Sequence, residues 1–500
     1  MSLDALLLDG MRFAAIHWDG VRLIASRDPI GLAPLFYRFV EGAVWLSTEV
    51  GPLLCLGPSA PDLEALSARA AFVPLDERTG WVGIHRVLPG STLEIEVPGL
   101  AIRSTPYWRP ESRFGTYRGN YADALSEFRA RFGAAVNRCF EPGSAILLSG
   151  GVDSAAVAVT ARANTGAASH LVHAHFSALP KTDERQYASA VASVVGLPLH
   201  VVSGLTAPWD ICAELDTHGI PYNWLPYGMD EPILGHLAAR KIGVALDGHD
   251  GDGVLGAPGG AVWGSLVFSG ELRRVAAYAW RDGAKRAVRG IAADFVPPGF
   301  RPQRFRSPTY MDLVAPYLRE PLRSRSLRDD IFRWGWPVNR WKRRQLQPLL
   351  PRAVISFEQK EIEAARAGID LRHPFADRKL VEFLVSLPVS IKSDPGRAKP
   401  LLVDALGDML PEVIYTRRKS DYMASVRERV EPRWCIDKVC ASKIRLPHVE
   451  YTRLFEDRES HPEKLPLFFL VNLARVHEFA RQACDLQHGL VNGRRHVGAV

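Results

Sequence analysis

Long apolar runs are missing from this chain. No uncharged stretch approaches the roughly 20 residues that a bilayer span requires, and the N-terminus, MSLDALLLDGMRF, lacks a basic segment followed by an apolar signal core. Cysteine is scarce: Cys55, Cys139, Cys212, Cys435, Cys440 and Cys484 are six in 500 residues, with no CxxC pair and no histidines at zinc-binding spacing. That usage argues against a disulfide framework or a thiolate metal centre and fits a reducing cytoplasm. Charge of one sign is not in large excess, since 62 basic residues face 55 acidic ones, for a net charge of +7. The surplus is scattered and no aromatic–basic motif accompanies it, so neither nucleic acid nor a membrane is expected as a partner. A mildly positive field still favours anionic ligands such as nucleotides or an acidic peptide. Internal repeats and low-complexity tracts are also lacking.

What is present is ordinary globular composition, 47% hydrophobic and 23% charged. Five hundred residues exceed one core, which predicts two domains. The first hundred residues read as short strands: FAAIHWDG, VRLIAS, PLFYRFVEG and AVWLSTEV, broken by Asp-Gly, Glu-Gly and Asp-Pro signals. Residues 83–88 and 91–97 bracket Pro89-Gly90 and predict a hairpin. Residues 121–138 carry amphipathic helical spacing. Buried-strand candidates then alternate with helical stretches at 145–148, 171–176, 199–202 and 244–247, the grammar of βαβ units on a parallel sheet. Beyond about residue 260 helices dominate. Residues 465–480 read as a core helix, 340–352 as a solvated basic helix face, and the tail after Gly489 as loosely ordered.

The chemistry concentrates in Ser-Gly-Gly-Val-Asp-Ser, residues 149–154, between the apolar strand AILL and the helix AAVAVTARANTG. Gly150 and Gly151 permit a tight turn and let backbone N–H groups approach an anion. The helix N-terminus adds unpaired donors and partial positive charge. Ser149 and Ser154 supply hydroxyl donors. Asp153 would repel bare phosphate, so its presence calls for a divalent cation between them. The Gly-Lys-Ser/Thr ending of the Walker loop is absent. The same string would also serve as a plain strand–helix turn capped by Asp or Ser.

Six segments in order resemble the asparagine synthetase family: RDPIGLAPLFY (27–37) with STEVGPLL (47–54), WVGIHRVLPGSTLEI (81–95), the SGGVDS loop, TDERQYASAVASVVGLPLHVV (182–202), ALDGHDGDGVLG (245–256), and the pair GIDLRHPFADRKLVEFLVSLP (368–388) and GRAKPLLVDALGDMLPEVIYTRRKS (396–420). The resemblance implies an α/β fold in two parts. Residues 1–110 would be a truncated, inactive glutaminase-like (Ntn) α+β sandwich. Residues 115–485 would be a parallel-sheet ATP-pyrophosphatase (PP-loop) domain with a helical extension, and 486–500 a tail. It implies ATP and Mg²⁺, with Asp153 and Asp252 as metal ligands and Ser149, Gly150, Gly151, Asp153, Ser154 and Gly248 cradling the nucleotide. Lys399 and Lys419 correspond to lysines at the pyrophosphate and the reacting centre, Lys419 being favoured for stabilising charge as the amine attacks. Arg417 and Arg418 flank the site. The implied activity is AMP-forming amide ligation.

Departures from the family pattern narrow the reading. His249 stands where asparagine synthetases resemble one another in having Glu and β-lactam synthetases Tyr, whereas lasso-peptide cyclases can read Gly-His-Gly-Gly-Asp. An imidazole titrating near its ordinary value would take a proton from an incoming ammonium. Asp250 replaces the family's glycine. Glutamine-dependent members begin with a processed Cys; here residue 2 is Ser, and the match starts well inside the glutaminase half. That half would leave an apolar sheet face uncovered and must pack on the synthetase part or a partner. Three expectations follow. One is intramolecular amide formation on a small-molecule or precursor-peptide carboxylate, as in lasso-peptide cyclisation, with leader-peptide or protease partner proteins. The second is asparagine synthesis from ammonia or a partner's nitrogen. The third is a non-catalytic nucleotide-binding regulator.

Overall fold

The computed structural model describes residues 12–71, 77–97, 101–166, 169–177, 182–203, 231–256, 270–295, 313–323, 351–394, 396–417, 432–460 and 465–497, with isolated positions at 99, 263, 266 and 267. Lys419, Arg418 and most of the basic stretch 340–352 lie outside the described residues.

The N-terminal unit contains two antiparallel sheets. Strands β1 (Ala14–Trp18), β2 (Arg22–Arg27), β6 (Ser91–Glu96) and β7 (Ile102–Pro106) form one, in the order β1-β2-β6-β7. Strands β3 (Phe36–Val40), β4 (Ala43–Ser47) and β5 (Ile84–Arg86) form the other, in the order β4-β3-β5. Ala25, Leu93 and Ile95 of the first sheet and Tyr37 of the second share one small core with Leu35 and Val87. The expected hairpin around Pro89-Gly90 is not formed. β5 pairs with β3 and β6 with β2 and β7, so these two residues carry the chain from one sheet to the other. Gly90 (φ 62°) makes that crossing by donating its N–H to Arg27 O and Asp28 O. The inner face of the larger sheet outruns its partner. Ile16, Trp18 and Ile102 sit opposite or beside core residues yet are about half exposed.

The unit is fastened to the rest of the chain. The long helix Leu467–Val497 packs Phe479 edge-on against Trp81, with ring centroids 5.4 Å apart, and one core holds Phe36, Leu66 and Ile84 together with Phe469 and Ile436. This helix runs to Val497, through the stretch whose composition suggested a loose tail. The string RDPIGLAPLFY earns its form here. Asp28 accepts the backbone N–H groups of Ile30, Gly31, Leu32 and Ala33 at 2.7–3.1 Å, folding the turn. Arg27, fully buried, donates to Glu358 at 2.8 Å, and Arg86 reaches the same carboxylate at 3.2 Å.

A five-stranded parallel sheet forms the centre, in the order β10-β9-β8-β11-β12: Leu199–Ser203, His170–His175, Ala145–Leu147, Val244–Leu246 and Asp370–Arg372. The sequence pattern located four of these strands; β12, with two charged residues in its three (Asp370 and Arg372), escaped it. Helices cover both faces. Helix α1 (Tyr121–Cys139), started by a capping box between Asn120 and Asp123, packs on one side with α2 (Val152–Thr165) and α3 (Arg185–Val195). The helix Glu231–Ala239 and Ala364 of the helix Pro351–Arg366 cover the other. Chain order runs outward from β8 to β10 on one side and from β11 to β12 on the other. The order therefore reverses between β8 and β11, and a crevice opens beyond their C-terminal ends. Among the described residues no helix is long and apolar enough to cross a membrane.

Candidate functional site

The loop after β8 turns at Gly150, whose φ of 82° and whose closeness to Glu184 (a Cβ would lie 2.7 Å from the Glu184 Cβ) leave room only for glycine. Ser154 differs from expectation. It is buried, its hydroxyl donates to Gly151 O at 3.2 Å and accepts the Ser149 N–H at 3.1 Å, so it braces the loop from beneath. Ser149 is exposed at the rim, and helix α2 starts at Val152 directly behind Gly151. The result is a turn at a helix N-terminus, an arrangement suited to phosphate oxygens.

The loop after β11 faces it. Gly248 and Gly251 press against the first loop: a Cβ on Gly248 would meet Ser154 N at 2.5 Å, and one on Gly251 would meet Asp153 Oδ1 at 2.5 Å. Asp250 adopts φ 64°. That left-handed conformation favours glycine, and Asp is among the few other residues that tolerate it, which accounts for the substitution sterically. Asp252 then opens the short helix Gly251–Leu255.

Lys399 joins the loops. Its buried ammonium contacts Asp153 Oδ2 and lies 2.7 Å from Asp252 Oδ1. Burial pushes its pKa down, but the two carboxylates override this and hold it above the usual lysine value. Lys399 itself sits at φ 46°, so this contact is kept against backbone strain. Asp153 and Asp252 thus converge on one cation. Two hard oxygen donors reaching a single positive charge are a fitting start for a magnesium site, with substrate phosphates and water completing it.

Beneath this layer lies a charged group that the sequence pattern did not single out. Asp247 Oδ1 accepts the backbone N–H of His249 at 3.0 Å and pairs with His373 Nδ1 at 2.7 Å, while Oδ2 is 3.8 Å from Lys360 Nζ. Burial would lower the His373 pKa, yet Asp247, and Glu361 at 3.3 Å from Nε2, raise it to about 9. His249 goes the other way. Burial, reinforced by the Lys360 ammonium, holds its pKa down to about 3. The expectation of an imidazole titrating near its ordinary value is therefore corrected: His249 stays neutral, its Nε2 3.2 Å from Ser356 Oγ and its ring edge-on to Phe357.

Arg417 acquires a definite place. It donates to Gly150 O at 2.9 Å and to Glu184 Oε1 at 2.7 Å, and lies over the Tyr187 ring at 4.1 Å. Glu184 and Tyr187 of the segment 182–202 thus tie the loop 149–154 to the C-terminal motif. Ser149, Gly151, Asp153, Ser154, Gly248, His249, Asp252 and Lys399 all line one cavity of about 480 Å³, with Asp247, Lys360 and Arg417; Gly150 is buried behind it. This volume lies within the ordinary range for small-ligand sites.

The asparagine synthase family model matches residues 127–495. The chain is 24% identical over 471 residues to amidase chyE of Penicillium rubens, covering 82% of this chain and 69% of that protein. It is 24% identical over 442 residues to the glutamine-hydrolysing asparagine synthetase 3 of Bacillus subtilis, at 82% and 66% coverage. With the carboxyethyl-arginine beta-lactam-synthase of Streptomyces clavuligerus it shares 24% identity over 428 residues, at 83% and 65% coverage.

Proposed function

Because the chain belongs to the asparagine synthase family, we propose that it is an ATP-dependent carbon–nitrogen ligase that forms an amide with release of pyrophosphate and AMP. The observation that carries this reading is the convergence of Asp153 and Asp252 on one cationic point beside the Ser149–Gly151 turn. Magnesium, held there by the two aspartates, would neutralise charge on the triphosphate. The turn and the α2 N-terminus receive phosphate oxygens, and Lys399 follows the leaving diphosphate. A substrate carboxylate oxygen attacks the α-phosphorus, the bond to the β-phosphate oxygen breaks, and pyrophosphate leaves. An amine nitrogen then attacks the acyl carbon, AMP departs, and the amine proton passes to solvent. His249 lines the cavity with its pKa held well below the ordinary value by burial, so it is a weak proton acceptor and is assigned to orienting the amine. Lys419 is assigned to the charge that develops in this second step.

The amine belongs to the substrate itself in this reading. Proximity then replaces a second substrate, with effective concentrations reaching many orders of magnitude. The similarity to a beta-lactam-synthase supports ring closure, and the Gly248-His249 string favours a precursor peptide whose Asp or Glu side chain is captured by its N-terminal amine. The test is incubation with ATP, Mg²⁺ and such a peptide. AMP, pyrophosphate and a peptide lighter by one water are expected. ADP in place of AMP would overturn the ligase reading. Asparagine formed from aspartate and ammonia, with no peptide product, would replace cyclisation by amino-acid synthesis.

A further inference from the structure

A series of close charged contacts, ending in a hydrogen bond, joins the N-terminal unit to the loop after β11. Arg12, just ahead of β1, places Nη1 2.8 Å from Glu361 Oε2, 2.7 Å from Asp370 Oδ1 and 3.2 Å from Leu371 O on β12. Glu361 faces His373 Nε2 at 3.3 Å through its other oxygen. His373 Nδ1 meets Asp247 at 2.7 Å, and Asp247 holds the His249 backbone N–H at 3.0 Å. Every member between Arg12 and His249 is buried.

The helix Pro351–Arg366 gathers these contacts. Glu358 is clamped by Arg27 and Arg86 of the N-terminal unit, while Ser356, Lys360 and Glu361 on the same two turns reach His249, Asp247 and His373. A buried carboxylate held by two guanidiniums has one low-energy position, and losing the carboxylate would leave both guanidiniums without that partner. The helix is thus held by the N-terminal unit at Glu358 and reaches the loop through Ser356 and Lys360. Loops carry the reacting groups, but a shift of about 1 Å in such groups can cost roughly 100-fold in rate.

We propose that the N-terminal unit acts in cis as a positioning device for the catalytic loop 247–252, with Arg12 its terminal positioning residue, operating through Glu361, His373 and Asp247. This inference rests on the reading of that loop as the place of chemistry. It gives the two-sheet N-terminal unit a role in positioning that needs no chemistry of its own.

The full-length chain is compared as wild type, Arg12→Gln, Arg12→Lys, Glu361→Gln and the double variant Arg12→Gln/Glu361→Gln. The first readout is the imidazole spectrum of ¹⁵N-histidine-labelled protein, which requires no substrate. In Arg12→Gln the His373 and His249 resonances shift, and in Arg12→Lys they return towards wild type. The second is AMP release with the cyclisable peptide, at a temperature where all variants are folded by circular dichroism. We expect kcat to fall roughly 10- to 100-fold in Arg12→Gln, with KM for ATP within about twofold and partial recovery in Arg12→Lys. The double variant falls no further than the worse single one, because both act through one chain. Unmoved imidazole resonances in Arg12→Gln, or losses that multiply in the double variant, overturn the proposal. Failure of the wild type to release AMP with any carboxylate defeats the ligase reading alone, and the imidazole spectra still decide the positioning role.

Discussion

Replacing Lys399 by Met isolates the electrostatic arrangement at the heart of the site. The side chain keeps its length and apolar stem, but the charge between Asp153 and Asp252 is lost. Both carboxylates lie within hydrogen-bonding reach of the one ammonium nitrogen, so their nearer oxygens are at most about 5.5 Å apart, and at an effective dielectric near 20 their repulsion is about 3 kcal/mol. The Asp252 side chain is 51% exposed, and solvent screening reduces this to roughly 1–2 kcal/mol. In EDTA, Lys399→Met therefore unfolds at lower urea than wild type. Magnesium reverses the order of sensitivity. In wild type the ion must share the carboxylates with the Lys399 ammonium, whereas in the variant that competitor is gone. A site filled to about 100 times its dissociation constant gains roughly 2.7 kcal/mol. Millimolar Mg²⁺ should thus raise the urea midpoint of Lys399→Met distinctly more than that of wild type, and about 0.5 M NaCl should shrink the gap seen in EDTA. Equal magnesium shifts in the two proteins would refute the shared-cation geometry, as would a variant indifferent to the ion.

Two further predictions come from the same neighbourhood. Gly248→Ala would bring a Cβ within 2.5 Å of the Ser154 backbone nitrogen, so one loop must move; pyrophosphate formation should fall at least 100-fold while the far-ultraviolet circular dichroism stays that of a folded chain, and near-normal turnover would remove the loop–loop contact from the account. His373, raised to about 9 from an ordinary value near 6.5, contributes stability that is fully present below about pH 6.5 and is lost as pH rises through about 9, up to roughly 3 kcal/mol. The urea midpoint should decline across that window in wild type and stay flatter in His373→Gln; parallel curves would show that the imidazolium is not held as described.

Much of this architecture was legible because its signals are local. The strand AILL, the Gly-Gly turn and the helix behind it are consecutive, and each follows from hydrophobic period and glycine conformation. The same holds for α1, whose capping residue and amphipathic spacing lie in one stretch. What the sequence hid depends on pairing across distance. Pro89-Gly90 has the chemistry of a hairpin turn, yet β5 and β6 choose different sheets, a decision made by Phe36 and Ile24 many residues away. Lys360 and Glu361 carry no motif; they matter because the helix holding them is clamped at Glu358. His249 looked like an ordinary titrating imidazole, because burial and the Lys360 charge come from a segment about a hundred residues downstream.

The glycines of the two loops deserve a different reading from the one their sequence invites. A glycine-rich turn before a helix suggests close approach of backbone to phosphate, and Gly151, which lines the cavity, fits that suggestion. Gly248 and Gly251 answer another demand. Strand order reverses between β8 and β11, so the loops leaving these adjacent strands emerge side by side and must pass each other at backbone contact. Side chains at 248 and 251 would collide with Ser154 and Asp153 before any nucleotide arrived. That close passage is also what lets Asp153 and Asp252, 99 positions apart in the chain, reach the same ammonium. Glycine in the second loop thus serves the first loop's aspartate. A side chain at 248 would meet backbone atoms of Ser154 and Asp153, so no loss of side-chain bulk across the gap should rescue it.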